Sequence, residues 1–198
     1  MSAADVRALA KNNESVPSSP STIVRTLTAP SSYEAQPPHN MRFSEFPNSK
    51  AIMMLTCMDP RSNPYEFWKL PFGPGIIRNA GGRATGDALR SMRVLSTIMA
   101  NGQNTLGAVA VVHHTDCGLY HGPNFSDEFI KGRLAERVPE LAREVEKMEL
   151  GSFADVEASV LEDMAIIKND PYLPKDLDVL GYVHDTATGK TREVFRSE

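Results

Sequence analysis

Two unbroken apolar runs dominate the hydrophobic pattern of the chain. Ile52–Leu55 is bounded by polar residues on both sides, and Gly107–Val112 repeats the arrangement further on. Runs of strand length without polar alternation predict strands buried on both faces, the mark of a parallel sheet. Pro60 and Pro64 stop the first run, and Tyr65–Leu70 reads as a short helix. Pro71-Phe-Gly-Pro-Gly75 reads as a turn, and Gly75-Ile-Ile-Arg-Asn79 as a short strand. Next, Ala88, Met92, Leu95 and Met99 fall on one helical face. That helix starts from the candidate N-cap Thr85, runs to about Ala100 and stops at Asn101-Gly102. A helix between apolar runs predicts a right-handed crossover within a parallel sheet.

Beyond the second run the pattern turns helical. Ser126 predicts a cap for a helix to Val138, and Pro139 suits the first turn of a charged helix reaching about Glu149. Ser152, with Asp155 three residues on, predicts the opening of a helix to about Asn169 whose apolar stripe is Val156, Val160, Met164 and Ile167. Pro171–Pro174 breaks it. Leu177–His184 and Thr191–Phe195 flank Asp185–Lys190 and predict a C-terminal β-hairpin. The pattern therefore predicts an α/β fold, a mainly parallel central sheet flanked by helices, over residues 50–198.

Residues 1–49 have a different texture. They hold six of the fourteen prolines and many Ser, Thr and Asn. Ala3–Lys11 and Thr22–Leu27 predict short helical pieces in an N-terminal arm without a core of its own, which packs on a partner subunit or stays disordered.

Composition narrows the function classes. A formal charge of −4 argues against a nucleic-acid surface, which needs a basic face. No apolar segment approaches bilayer-spanning length, so no membrane role is expected, and no secretory layout opens the chain. These features predict a cytoplasmic protein. In that setting its two cysteines, Cys57 and Cys117, read as metal-binding or catalytic groups rather than a disulfide.

Their neighbours sharpen this. The first run ends in Cys57-Met-Asp59-Pro-Arg61 and the second in His113-His114-Thr-Asp-Cys117-Gly118. If the runs are neighbouring parallel strands, Cys57, His114 and Cys117 converge at one sheet edge, where open α/β sheets place their ligand sites. Zinc favours thiolate and imidazole donors, and three protein ligands leave a fourth position for water. His113 is expected to point away from His114, as a core or interface histidine. His121 is a loop histidine and the one serious candidate for closing the site. Asp59 can close the site by binding the metal; held off by a bidentate pair with Arg61, it can instead orient a metal-bound water. Two thiolates cancel the formal charge of Zn²⁺, so activity is expected to favour alkaline pH.

Taken together, Cys57-Met-Asp59-Pro-Arg61, Arg78-Asn-Ala-Gly-Gly82 and His113-His-Thr-Asp-Cys117-Gly118 resemble the β-class carbonic anhydrases, nearest the short fungal and mycobacterial members. The resemblance spans about Lys50 to Val194. It implies a homodimer or a dimer of dimers, with the arm embracing the neighbouring subunit. It also implies zinc on Cys57, His114 and Cys117, Asp59–Arg61 as the gating dyad, and reversible hydration of CO₂ to bicarbonate by zinc-bound hydroxide. Pro60 stands where the family has a small residue, and Phe72-Gly-Pro-Gly75 replaces a more polar turn; both lie on the entrance side. Carbonyl sulfide and carbon disulfide hydrolases resemble the same family and are the alternative reading. A non-catalytic zinc protein, its metal closed by Asp59 or His121, is the lesser one.

Overall fold

The computed structural model describes residues 50–69, 74–101, 106–120 and 125–195. The expected arm over 1–49, with its two helical pieces, lies outside the described residues, as do His39, His121 and most of the Pro71–Gly75 turn.

A five-stranded sheet in the order β2-β1-β3-β4-β5 forms the centre. Its strands are β1 (Ala51–Cys57), β2 (Gly75–Asn79), β3 (Leu106–His114), β4 (Asp178–His184) and β5 (Thr191–Val194). The pairs β1–β2, β1–β3 and β3–β4 are parallel, and β5 returns antiparallel to β4. Both apolar runs form neighbouring strands, and every residue of β3 is buried. The helices are α1 (Pro64–Phe67), α2 (Gly86–Asn101), α3 (Asp127–Arg137), α4 (Ala142–Glu146) and α5 (Val156–Lys168).

Side chains alternate across the sheet with the strand period of two. Met53, Leu55, Val109 and Val111 face one way and pack with Ala88 and Met92 of α2 and Val160 and Ile167 of α5. Ile52, Met54, Ala108, Ala110 and Val112 face the other way, with Phe67, Trp68 and Tyr182. Between β2 and α2 the chain folds back on β1. Gly82 runs at φ +72°, and a Cβ there would lie 2.9 Å from the backbone nitrogen of Cys57. The glycine pair is thus a close backbone contact against the end of β1, beyond an ordinary turn.

Element ends follow local capping, with three departures from expectation. The first short helix spans Pro64–Phe67 rather than Tyr65–Leu70, because Asn63 Oδ1 accepts from the Tyr65 N–H at 3.2 Å and fixes its start. Pro139 opens a 3₁₀ turn, Pro139–Leu141, and the α-helix behind it ends at Glu146. The last helix starts at Val156 with Asp155 as cap, its Oδ1 accepting from Ala158 N–H at 2.8 Å. Ser152 cannot serve as that cap. Its N–H donates to Asp127 Oδ1 at 3.1 Å, and Phe153 N–H donates to Leu119 O at 2.9 Å, so the chain there is extended. In the C-terminal hairpin Asp185 holds the turn, its Oδ1 accepting from Ala187 N–H at 2.9 Å and its Oδ2 from Thr188 Oγ1 at 2.8 Å.

Candidate metal centre

β1 and β3 run side by side and in the same direction, with Thr56 opposite Val112. Their carboxyl ends therefore deliver Cys57 and His114 to the same edge. The chain then turns through Thr115 and Asp116, the latter in the left-handed region at φ 56°, and brings Cys117 back. Cys57, His114 and Cys117 are all buried, and one ligating atom of each lies within 4.8 Å of the others, an arrangement that can hold a metal ion. The sulfurs are 4.0 Å apart, against the apolar side chains of Phe153, Leu119 and Val156.

Hydrogen bonding prepares each donor. His114 donates Nδ1–H to the Thr115 carbonyl at 2.8 Å, which leaves the lone pair on Nε2. That Nε2 is buried and has no hydrogen-bond partner. A buried nitrogen in this state is costly, by roughly 1–3 kcal/mol, and an ion held between the two sulfurs would satisfy it. The carbonyl bond fixes the tautomer and the ring plane, as the outer partner of a metal-bound histidine does. The Asp59 N–H donates to Cys57 Sγ at 3.4 Å. The Cys57 thiol is held below its ordinary range, chiefly by the hydrogen bond it shares with Cys117, against the opposing effect of burial. The same sharing pushes Cys117 up. Soft thiolate and imidazole donors of this kind fit zinc.

The backbone of the Cys57 loop is pinned from β2. Arg78 donates Nε–H to Cys57 O at 3.1 Å and Nη2–H to Asp59 O at 2.6 Å. Asp59 caps the 3₁₀ turn Pro60–Ser62 by accepting from Arg61 N–H at 2.9 Å. Its carboxylate also takes Arg61 Nε–H at 3.1 Å and Nη2–H at 2.7 Å, the bidentate pair expected from the DxR spacing. These bonds from Arg61 hold the Asp59 carboxyl down at about 2. Arg61 also reaches across to the other ligand loop. Nη1–H donates to Asp116 Oδ2 at 2.7 Å and Nη2–H to the Asp116 carbonyl at 3.0 Å.

Neither Asp116 nor Arg78 stands out in the sequence as a residue of the site. An exposed Asp in a turn carries no signal, and a carbonyl acceptor is invisible in sequence. His113 does point away from His114. Its Nδ1 meets Ser159 Oγ at 2.7 Å and its Nε2 meets Gly82 O at 3.1 Å. His184 is buried opposite His114 on β4 and stacks on Phe67 with ring centroids 4.5 Å apart.

No family model matches the chain. Whole-chain comparison is more informative. The chain is 30% identical over 152 residues to β-carbonic anhydrase 1 of Mycobacterium tuberculosis, covering 75% of this chain and 84% of that protein. It is 28% identical over 170 residues to a carbon disulfide hydrolase of Saccharolobus solfataricus, covering 77% and 81%. The crystal structure of carbonic anhydrase from Streptococcus mutans superposes with a TM-score of 0.63 at 33% identity, covering 76% of this chain and 86% of that one. With its parallel sheet and its buried cysteine–histidine–cysteine cluster at the strand ends, the chain belongs to the β-carbonic anhydrase family.

Proposed function

We propose that the protein is a zinc-dependent carbonic anhydrase catalysing the reversible hydration of CO₂ to bicarbonate and a proton. The observation that carries this reading is the partnerless, buried Nε2 of His114 beside two sulfurs, next to a carboxylate gripped by Arg61. Cys57, His114 and Cys117 would hold the ion. Zinc bound there supplies a Lewis acid that makes water in the fourth position a nucleophile toward the carbon of CO₂.

The chain's own residues do the rest. Asp59, ionised at any working pH, accepts a hydrogen bond from the attacking water and aims its lone pair at the carbon. Arg61 keeps that carboxylate off the metal position by occupying both of its oxygens. The N–H of Asp59 steadies the Cys57 thiolate, and the Thr115 carbonyl fixes the imidazole. The proton is released to solvent or buffer. Two anionic sulfurs lower the acidifying power of the ion, so the rate rises toward alkaline pH.

Carbonyl sulfide or carbon disulfide hydrolysis is the second reading, favoured by relatives named carbon disulfide hydrolase at 27–28% identity. The same nucleophile serves both reactions. We further propose a cytoplasmic homodimer or dimer of dimers in which the 1–49 arm packs on the partner. Among the described residues no helix is long and apolar enough to cross a membrane.

The test is a paired assay on metal-quantified protein: stopped-flow CO₂ hydration, and H₂S release from carbonyl sulfide and carbon disulfide. Fast, zinc-dependent CO₂ hydration with slow H₂S release supports the anhydrase. The reverse ratio selects the hydrolase, and neither activity in zinc-loaded protein overturns both.

A further inference from the structure

Arg61 is shared between two carboxylates on different loops, and the second of these is Asp116. Its Oδ2 takes Nη1–H at 2.7 Å and its own carbonyl takes Nη2–H at 3.0 Å, while Asp59 takes Nε–H and the remaining reach of Nη2. The guanidinium fork is thus fixed at both edges, between the loop that follows β1 and the loop that follows β3.

Two features bear on the part Asp116 plays. Its backbone is left-handed at φ 56°, a conformation that aspartate and asparagine adopt more readily than other non-glycine residues. There its carbonyl and its carboxylate meet one guanidinium. The Asp116 side chain is also 79% exposed, and ion pairs this exposed contribute little to folding. An exposed carboxylate whose ion pair adds little to folding, and which completes the grip on Arg61, acts on the position of Arg61.

We propose that Asp116 is a positioning residue. By anchoring the far edge of Arg61 it keeps Arg61 closed on Asp59, and so keeps Asp59 from taking the fourth metal position. This rests on the reading of Asp59 as the group that orients the attacking water. Without the Asp116 carboxylate, Arg61 loses one charged anchor and can turn away. Asp59 is then free to compete with water for the metal.

The variant Asp116→Asn separates positioning from folding, because asparagine tolerates the left-handed backbone and keeps the carbonyl acceptor. Zinc content and melting temperature are expected to match wild type. In CO₂ hydration kcat and kcat/KM fall together by about tenfold, the lower end for loss of an outer partner of a metal site. The second readout is azide binding to the cobalt(II)-substituted protein, followed by its visible spectrum, which needs no substrate. Azide needs the fourth position, so its Kd rises by about tenfold in Asp116→Asn, as estimated for the outer-partner loss.

In an Asp59→Ala background the same change leaves the azide Kd unaltered, because the competing carboxylate is gone. Wild-type azide affinity in Asp116→Asn overturns the proposal, and so does an equal effect in the presence and absence of Asp59. Full activity of zinc-loaded Asp59→Ala overturns the underlying reading of Asp59 instead, whatever Asp116 does.

Discussion

Asp163 Oδ2 lies 3.1 Å from Nε2 of His113, and the two side chains are 1% and 0% exposed. His113 immediately precedes the candidate ligand His114, and Asp163 sits on α5, so the pair ties the end of the central strand to the helix behind it. The same carboxylate oxygen lies 2.9 Å from Arg83 Nε, and Arg83 goes on to the Gly151 carbonyl at 2.9 Å. Removing Asp163 takes the buried carboxylate away from Arg83 and leaves it only the exposed Glu162, whose Oε2 it meets through Nη2. Asp163→Ala is therefore expected to cost about 3–5 kcal/mol in urea unfolding of the zinc-loaded protein. A loss below about 1 kcal/mol would mean that the Asp163 charge contributes little to holding β3 against α5.

Gly82 sets a second constraint on the same strand end. At φ +72° its Cα faces the backbone of Thr56 and Cys57 at a distance that leaves no room for a methyl group. Its carbonyl also meets His113 Nε2 at 3.1 Å. Gly82→Ala must both adopt a left-handed backbone and push Cys57 away. A loss of at least about 2 kcal/mol is expected, with faster zinc release to a chromogenic chelator. Gly86→Ala meets open space and serves as the control, staying within about 1 kcal/mol of wild type.

These contacts mark where the sequence stops being legible. Strands β1 and β3 could be read because buried parallel strands leave unbroken apolar runs. Their ends could be read because thiol, imidazole and carboxylate side chains stand out there. Arg83 and Asp163 meet across 80 residues of chain, and nothing local to either announces the other. The start of α5 is ambiguous in sequence because Ser152 and Asp155 are equally good caps in isolation. Only the bond from Ser152 N–H to Asp127, a tertiary contact, decides between them. Asp116 was hidden for the opposite reason: an aspartate in a turn is so ordinary that its bond to Arg61 leaves no trace in the pattern.

Acid should weaken the grip of Arg61 on Asp59 in a defined range. The folded carboxyl lies at about 2, below its ordinary value of 3.8. A depressed carboxyl contributes stability that is complete above pH 3.8 and is lost as the pH falls toward 2. Allowing for the partial exposure of the pair, the contribution is about 1 kcal/mol. Wild type and Asp59→Asn should therefore differ by about that amount at neutral pH and converge between about pH 4 and 2. Thermal melts of both proteins across that range give the difference directly, and acid release of metal, common to both, cancels. A gap that stays constant to pH 2 would show that Asp59 draws nothing from its charge.

Zinc itself should appear as stability before it appears as rate. The buried Nε2 of His114 has no hydrogen-bond partner and faces two sulfurs 4.0 Å apart, so the metal-free fold carries an unsatisfied site at the strand ends. A ligand that binds only the folded chain stabilises it by RT ln(1 + [L]/Kd), about 2.7 kcal/mol at a hundredfold excess over Kd. Chelator-treated wild type is expected to melt several degrees lower and to recover on addition of zinc. Cys57→Ser and His114→Ala should melt near the metal-free wild type and show little response to zinc, because each removes one of the three donors proposed for the ion. Asp59→Asn keeps all three donors and should recover fully, which separates holding the metal from using it. A zinc response in Cys57→Ser equal to that of wild type would place the ion elsewhere.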